Sequence, residues 1–161
     1  MLPLDSPIWS ELSHHFGTGE TIPPALQELY NCLADQQLDE DRYRVAVCGL
    51  DDQLENIFHQ ACICPAAGPA LPHILALIPR LKLEDQVSKY FACGWIHNEG
   101  AGSVYDDEQV KDWYNLAVEK AQKDIVSLAN SIELDEDQQF QLFYALDSFH
   151  QEAYALSLIH I

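Results

Sequence analysis

The chain has 161 residues, and acidic residues outnumber basic ones by 26 to 8, which gives a formal net charge of −18 at pH 7. This length is sufficient for one domain with its own core, and an apolar share of 48% is typical of a globular protein. The charge argues against binding of nucleic acid or of anionic membranes, because both require a basic surface. We expect one domain over residues 1–161.

The N-terminal residues and the cysteines indicate the cellular compartment of the protein. Met1–Asp5 contains no basic segment ahead of a long apolar run, so we expect no signal peptide. No stretch reaches the roughly 18 apolar residues that a membrane-spanning helix needs. Five cysteines, an odd number without a secretory signal, favour reduced thiols. The sequence therefore predicts a cytoplasmic protein.

Apolar residues recur with the helical period along most of the chain. A short helix is predicted from Pro7, and the longer ones begin after Thr21, near Asp39, after Pro65, at Glu84, near Asp106 and after Asp135. The alternating segment Tyr43–Val47 is compatible with a strand, but the helical period continues past it to Phe58. We therefore predict an all-α fold.

The predicted helices fall into about three antiparallel pairs. First members begin near residues 22, 66 and 107, and second members near 40, 84 and 136, which suits a HEAT or armadillo-like α-solenoid. Val47–Leu50 and Ala92–Trp95 each place a Cys-Gly pair inside a second helix. Because glycine inside a helix costs about 1 kcal/mol against alanine, we expect a neighbouring helix to approach closely at both glycines. An irregular helical bundle is the alternative architecture.

Two parts of the chain carry motifs that can be compared with a known group. Leu54–Leu75 is similar to an L-x-x-L-x-H-Q run followed by A-A-x-P-A-L-P-H-L-L. Pro7–Leu12, followed by Phe16–Gly17 and Ile22–Pro23, is similar to the opening motif of the same group. In these motifs the chain resembles small bacterial HEAT-like proteins that occur around polymorphic toxin systems. Some of these proteins are immunity proteins against contact-dependent inhibition toxins. The resemblance implies an α-solenoid and, as an expectation, an immunity function.

His59, Cys62, Cys64 and His73 are the best candidates for a metal site. Two thiolates and two imidazoles suit tetrahedral zinc, but the single residue between the cysteines is shorter than the usual spacing. In the competing interpretation, the cysteines fill a turn between helices and the histidines bond backbone carbonyls at helix ends. We expect no metal and no other cofactor.

Thiol catalysis is a weaker hypothesis. Cys93 or Cys62 could act as a nucleophile with His97 or His59 as its base. No oxyanion loop or orienting asparagine accompanies these residues, and Gly17–Gly19 lacks the lysine of a phosphate-binding loop. We therefore expect no catalytic residues, and a small metal- or thiol-dependent enzyme is the least favoured alternative.

The carboxylates cluster at predicted helix starts, where they cap backbone N–H groups and complement the helix dipole. This role explains their positions but not the scarcity of bases: residues 83–161 contain 15 acids against 4 lysines. Charge repulsion of this size opposes the compact state, which favours a function for the acidity.

If the second helices run in the same direction, their N-terminal turns share one edge of the stack. We call this the acidic edge, and its residues are Asp39, Glu40, Asp41, Glu84, Asp85, Asp135, Glu136 and Asp137. Asp51, Asp52 and Glu55 add charge further along the first of these helices. Such an edge can imitate a phosphate backbone and steer a basic protein. We predict that all of these residues bind a partner.

A nuclease toxin is basic where it holds its substrate. The sequence therefore predicts an inhibitor that covers the cleft of a basic toxin domain, with contact area from aromatic residues such as Trp113, Tyr105 or Tyr43. A generic helical adaptor for a basic partner is the alternative. The apolar segment Phe140–Leu146 and the end Ala155–Ile161 allow self-association or contact with a partner, although we expect this last helix to pack centrally.

Overall fold

The computed structural model describes residues 1–157, with side chains as far as His150, and is 71% helical. The predicted all-α class is therefore confirmed. The α-helices are α1 (Ile22–Cys32), α2 (Glu40–Ile57), α3 (Ala67–Leu77), α4 (Leu83–Asn98), α5 (Glu108–Ala129) and α6 (Glu136–Ser157). Short 3₁₀ helices cover Pro7–Glu11, Gly19–Thr21, Ile78–Arg80 and Ala101–Ser103. Within residues 1–157, no helix combines the length and apolar character needed to cross a membrane.

Two very short antiparallel ladders interrupt the helices. β1 (Ser13–His14) pairs with β2 (Gly17–Thr18), and β3 (Phe58–His59) pairs with β4 (Cys62–Ile63). Gln60 and Ala61, which join β3 to β4, have φ of 50° and 59°. The sequence offers neither glycine nor asparagine at this turn, so the usual hairpin signal is missing and the ladder was not predicted.

α1 and α2 form an antiparallel helix hairpin. Cys32, at the end of α1, contacts the carbonyl of Arg42 near the start of α2. One turn earlier on α1, Leu29 lies against Gly49, further along α2. The segment Tyr43–Val47 lies inside α2, so its helical prediction is confirmed.

α2 and α4 run in the same direction. The Tyr43 hydroxyl meets Asp85 in the first turn of α4. Asp51, about two turns further along α2, meets Lys89, about one turn further along α4. Contacts therefore advance along both helices together.

α4 and α6 also run in the same direction, and they form one of the largest contacts between helices. The rings of Phe91 and Tyr144 are 5.2 Å apart, and those of His97 and Phe149 are 5.3 Å apart. On the other side of the fold, α3 packs on α5. In this half of the chain, each helix thus packs mainly on the next helix but one, α3 on α5 and α4 on α6.

The glycines of the two Cys-Gly pairs, Gly49 and Gly94, lie where a neighbouring helix comes close, as predicted. A Cβ on Gly94 would be 2.7 Å from Ala145 Cα in α6, and one on Gly49 would be 3.3 Å from Leu29 Cδ2 in α1. The approach at Gly94 is against backbone and permits no side chain.

The core runs through the centre of the helical layers. α3 is buried over nearly its whole length, including its prolines and His73. Fully buried large side chains come from the N-terminal 3₁₀ helix and from α1 to α5, among them Trp9, Leu26, Leu50, Ile74, Tyr90 and Tyr114. α6 contributes Leu142, Ala145 and Phe149, so the predicted central packing of this helix holds for one of its faces. Residues 158–161 lie outside the described part of the chain.

Candidate functional site

Capping accounts for the carboxylates at the starts of α2 and α6. Asp39 Oδ1 accepts from the Arg42 N–H at 2.9 Å, and Asp135 Oδ1 accepts from the Gln138 N–H at 2.8 Å. The Gln138 side-chain oxygen accepts the Asp135 N–H in return, which completes a capping box. The predicted capping role is confirmed at these two helices.

The start of α4 is built differently. Lys82 holds the N-cap position and its side chain makes no capping hydrogen bond. The Asp85 carboxylate instead accepts a hydrogen bond of 2.6 Å from the Tyr43 hydroxyl, and that hydroxyl accepts from the Lys82 N–H at 2.8 Å. The Lys82 ammonium group pairs with Glu40. The first turns of α2 and α4 are therefore joined directly.

Tyr43 is buried at this junction, with 7% of its surface exposed. Desolvation, followed by the hydrogen bond to Asp85, raises the pKa of its hydroxyl well above the usual value. The phenol therefore stays protonated and donates to the carboxylate throughout the physiological pH range.

The start of α6 lies at the same end as the starts of α2 and α4. Phe91 and Tyr144 are in contact, and counting back seven residues from each reaches Glu84 and Asp137. Because every helical residue rises by 1.5 Å, these two carboxylates are level along parallel helices. The residues of the acidic edge are thus brought to one end of α2, α4 and α6.

Some predicted partner-binding residues are engaged within the chain. Glu40 pairs with Lys82 and Arg44, and the hydrogen bond from Lys82 is the main cause of its lowered pKa. Asp51 pairs with Lys89 at 2.6 Å, and Glu55 with His59 at 3.3 Å.

Other members of the predicted set are exposed, and no ion pair joins them to the part of the chain that the structure describes. They are Asp41, Asp52, Glu84, Glu136 and Asp137. Asp52 lies apart from the acidic edge, beside a groove between α1 and α2. Asp39 and Asp135 are also exposed but cap their helices, so the remaining four are the carboxylates of the edge that make neither a capping bond nor an ion pair among the described residues.

The aromatic residues that were expected to be accessible beside these charges are buried or lie against α3. Tyr43 is buried, and Trp113 lies half-buried in a groove with Pro72 and Leu75 of α3. Tyr105 packs against Gly68, also in α3. Phe140, which was predicted only as part of the apolar segment Phe140–Leu146, lies on the acidic first turns of α6 and is mostly exposed. Its helical spacing of three from Asp137 is the signal that could have identified it.

The four candidate zinc ligands are not gathered. His73 is buried and its Nε2–H donates to the Leu2 carbonyl at 2.7 Å, while its Nδ1 faces the Tyr30 hydroxyl at 3.2 Å. A backbone bond was expected for His73 but at a helix end, whereas it lies inside α3. His59 pairs with a glutamate rather than with a carbonyl. Over residues 1–157 no cluster of three or more His, Cys, Asp or Glu could hold a metal ion.

The cysteines are all free thiols. Cys93 is fully buried, and desolvation raises the pKa of its thiol far above the usual value, which opposes formation of a nucleophilic thiolate. Cys62 is exposed on β4, where it lies opposite His59 in the ladder of β3 and β4. The ring of His97 stacks on Tyr114, with Nδ1 2.9 Å from the phenol oxygen.

A cavity of about 410 Å³ opens beside His97. Polar side chains line it, including those of Lys111 and Ser103. Lys111 pairs with Asp106 and Glu108, and the Ser103 hydroxyl donates to the Gly100 carbonyl. These contacts stabilise the loop before α5.

Comparison with known proteins found no family model, no curated protein and no solved structure that matches this chain.

Proposed function

We propose that this protein is a cytoplasmic, non-enzymatic inhibitor that binds a basic toxin domain through its acidic edge. The observation that carries the proposal is the common direction of α2, α4 and α6. It brings the acidic first turns of three helices to one end of the fold, where Asp41, Glu84, Glu136 and Asp137 are exposed. A surface with this charge attracts a basic protein and repels nucleic acid.

We propose further that the helices form a HEAT-like stack of three pairs. The antiparallel hairpin of α1 and α2, the packing of α3 on α5 and the packing of α4 on α6 support this arrangement. In such a stack the second helices share one layer, which is the geometry that the acidic edge requires.

Toxin nucleases are proposed as the partner class because their substrate clefts must be basic. An acidic edge bound across such a cleft occupies the positions of substrate phosphates and excludes the nucleic acid. The motifs at Pro7–Pro23 and Leu54–Leu75 resemble those of HEAT-like proteins, some of which are immunity proteins, and this resemblance supports the class. A generic adaptor for a basic housekeeping partner would use the same surface, and it would leave the partner's active site open.

Titration of the purified protein with the toxin domain encoded beside its gene tests the proposal. The double substitution Glu136→Lys and Asp137→Lys should lower the association rate about tenfold at low salt, because the edge steers the basic partner. Inhibition of the toxin's activity should weaken with it. Added salt should slow association by the wild-type protein.

Asp112→Lys with Glu119→Lys is the matched control. Both residues are exposed on α5, and the change in net charge is identical. An equal effect from both double variants, or no binding at all, would contradict the acidic edge. Binding without inhibition would favour the adaptor.

A further inference from the structure

The outward faces of α4 and α6 share one arrangement, in which two aromatic residues lie between carboxylates. Along α4 and its C-cap residue the order is Glu84, Phe91, Trp95 and Glu99, spaced by seven, four and four residues. Residues spaced by one or two helical turns lie on the same face. The aromatic pair of α4 is therefore flanked by negative charge at both ends.

The same arrangement recurs on α6. Its order is Asp137, Phe140, Tyr144 and Asp147, spaced by three, four and three residues. Phe143 lies beside Phe140 and adds a second exposed ring.

The rings join into one continuous row across the two helices. Centroid distances are 5.7 Å from Phe58 to Trp95, 6.4 Å from Trp95 to Phe91, 5.2 Å from Phe91 to Tyr144 and 6.5 Å from Tyr144 to Phe140. We call these five residues the aromatic row. Rings at these separations support one another and hold their faces in fixed positions.

The row is open to solvent at Phe140, near the acidic edge, and at Trp95, toward the other end of α4. The exposed fractions are 63% for Phe140 and 69% for Phe143, and Trp95 is 43% exposed. Neighbouring exposed aromatic residues with a charged rim are typical of protein interfaces, where aromatic side chains supply most of the binding energy.

The negative charge around the aromatic row indicates which kind of molecule can bind there. Lys89 is the only lysine or arginine in α4 and α6, and it is buried in its ion pair with Asp51. A second copy of the chain bound through the same face would bring a second set of these carboxylates into the contact, and repulsion between like charges would oppose it. The occupant must therefore be basic.

Among basic groups, guanidinium fits this face better than ammonium. It is planar and weakly hydrated, so it stacks on aromatic rings while its N–H groups bond carboxylates. Lysine is a compact and strongly hydrated charge that gains less from a ring face.

We propose that the aromatic row, together with Phe143, binds arginine side chains of the partner, each stacked on a ring and paired with a flanking carboxylate. This inference rests on the proposed function, and it adds the partner chemistry: a basic surface rich in arginine. The acidic edge attracts the partner, and the aromatic row selects arginine over lysine.

Titration with decaarginine and decalysine peptides, followed by Trp fluorescence and calorimetry, tests the inference. Wild-type protein should bind decaarginine about tenfold more tightly than decalysine. Phe140→Ser with Phe143→Ser should remove that preference and leave decalysine binding unchanged. Glu136→Lys with Asp137→Lys should weaken binding of both peptides.

Val45→Ser with Leu116→Ser is the matched control, because both are exposed apolar residues on other helices, α2 and α5. It should leave both affinities unchanged. The serine variants replace mostly exposed side chains, so their urea midpoints should match that of the wild type.

The outcomes separate the two proposals. Equal affinity for the two peptides, or a preference for arginine that survives Phe140→Ser with Phe143→Ser, overturns the role of the aromatic row and leaves the acidic edge standing. A preference that depends on these residues supports the row, even if the neighbouring toxin domain does not bind and the proposed inhibitor function fails. Binding of neither peptide overturns both.

Discussion

Two buried tyrosines in neighbouring helices differ in whether their hydroxyl groups make hydrogen bonds. The Tyr43 hydroxyl donates to Asp85 and accepts from the Lys82 N–H, which joins α2 to the start of α4. The Tyr90 hydroxyl in α4 is buried with no partner among the described residues. A hydrogen-bonded buried hydroxyl stabilises a fold, whereas an unpaired one carries a desolvation cost.

Phenylalanine substitutions should separate these two cases. Tyr43→Phe should lower the free energy of unfolding by about 1–2 kcal/mol, because it leaves the Lys82 N–H and Asp85 without their partner. Tyr90→Phe should be neutral or stabilising by up to about 1 kcal/mol. Urea unfolding of both variants measures the difference, and equal losses would contradict the assignment of partners.

His73 makes stability depend on pH. Desolvation lowers the pKa of this buried imidazole, and the hydrogen bond to the Leu2 carbonyl offsets only part of that shift. A folded-state pKa below the unfolded value means that the unfolded chain binds more protons in acid. The neutral His73 imidazole therefore makes its full contribution to stability above about pH 6.5. That contribution is lost as the pH falls below this value and through the pKa of the folded state.

Unfolding in urea at pH 7.5 and at pH 5.5 tests this dependence. The wild type should lose stability between the two values, and His73→Gln, less stable at pH 7.5, should lose less. His14, whose pKa is also lowered by desolvation, contributes to the same slope, so His14→Gln serves as the second variant. A wild-type slope that neither substitution reduces would contradict titration of these imidazoles.

At the scale of the elements, glycine sets the distance between helices. Gly94 lets α6 approach α4 so closely that a Cβ would meet the Ala145 backbone. The contact at Gly49 is looser, because it is with the end of the Leu29 side chain. Replacement of Gly49 and of Gly94 should therefore change stability by different amounts, although both glycines follow a cysteine in a similar sequence.

Alanine substitutions measure these costs. Gly94→Ala should destabilise by about 1–2 kcal/mol, since overpacking against backbone exceeds the gain of about 1 kcal/mol in helix propensity. Gly49→Ala should be neutral or stabilising by up to about 1 kcal/mol, because Leu29 can move. Thermal and urea unfolding provide the comparison. A stabilising Gly94→Ala would show that α4 and α6 can separate at no cost.

At the scale of the whole molecule, repulsion between carboxylates opposes folding. Most lysines and arginines are already paired, as in the contacts of Lys82 with Glu40 and of Lys89 with Asp51. Exposed pairs contribute little, so the excess negative charge dominates the response to salt.

Salt should therefore stabilise the protein. Raising the ionic strength from about 0.01 M to about 0.15 M shortens the screening length from about 30 Å to about 8 Å and weakens repulsion between distant carboxylates. The free energy of unfolding in urea should increase. Glu136→Lys with Asp137→Lys should reduce the size of this increase, and a decrease with salt in the wild type would contradict dominant repulsion.

The sequence by itself determined the helices and their ends. Apolar spacing predicted the helical state of Tyr43–Val47, Asp39 and Asp135 were predicted to cap, and Gly49 and Gly94 were predicted to lie at close approaches. These features depend on residues a few positions apart or on one side chain, and such information is local.

Only the tertiary structure decided which side chains remain accessible. It buries Tyr43 against Asp85, bonds His73 to the Leu2 carbonyl and leaves Phe140 exposed. Each outcome depends on packing between segments far apart in the chain, and a pattern of residue types does not fix which face of a helix a neighbour covers. The positions of the acidic clusters could therefore be predicted, whereas the aromatic residues beside them could not, because exposure results from how the helices pack.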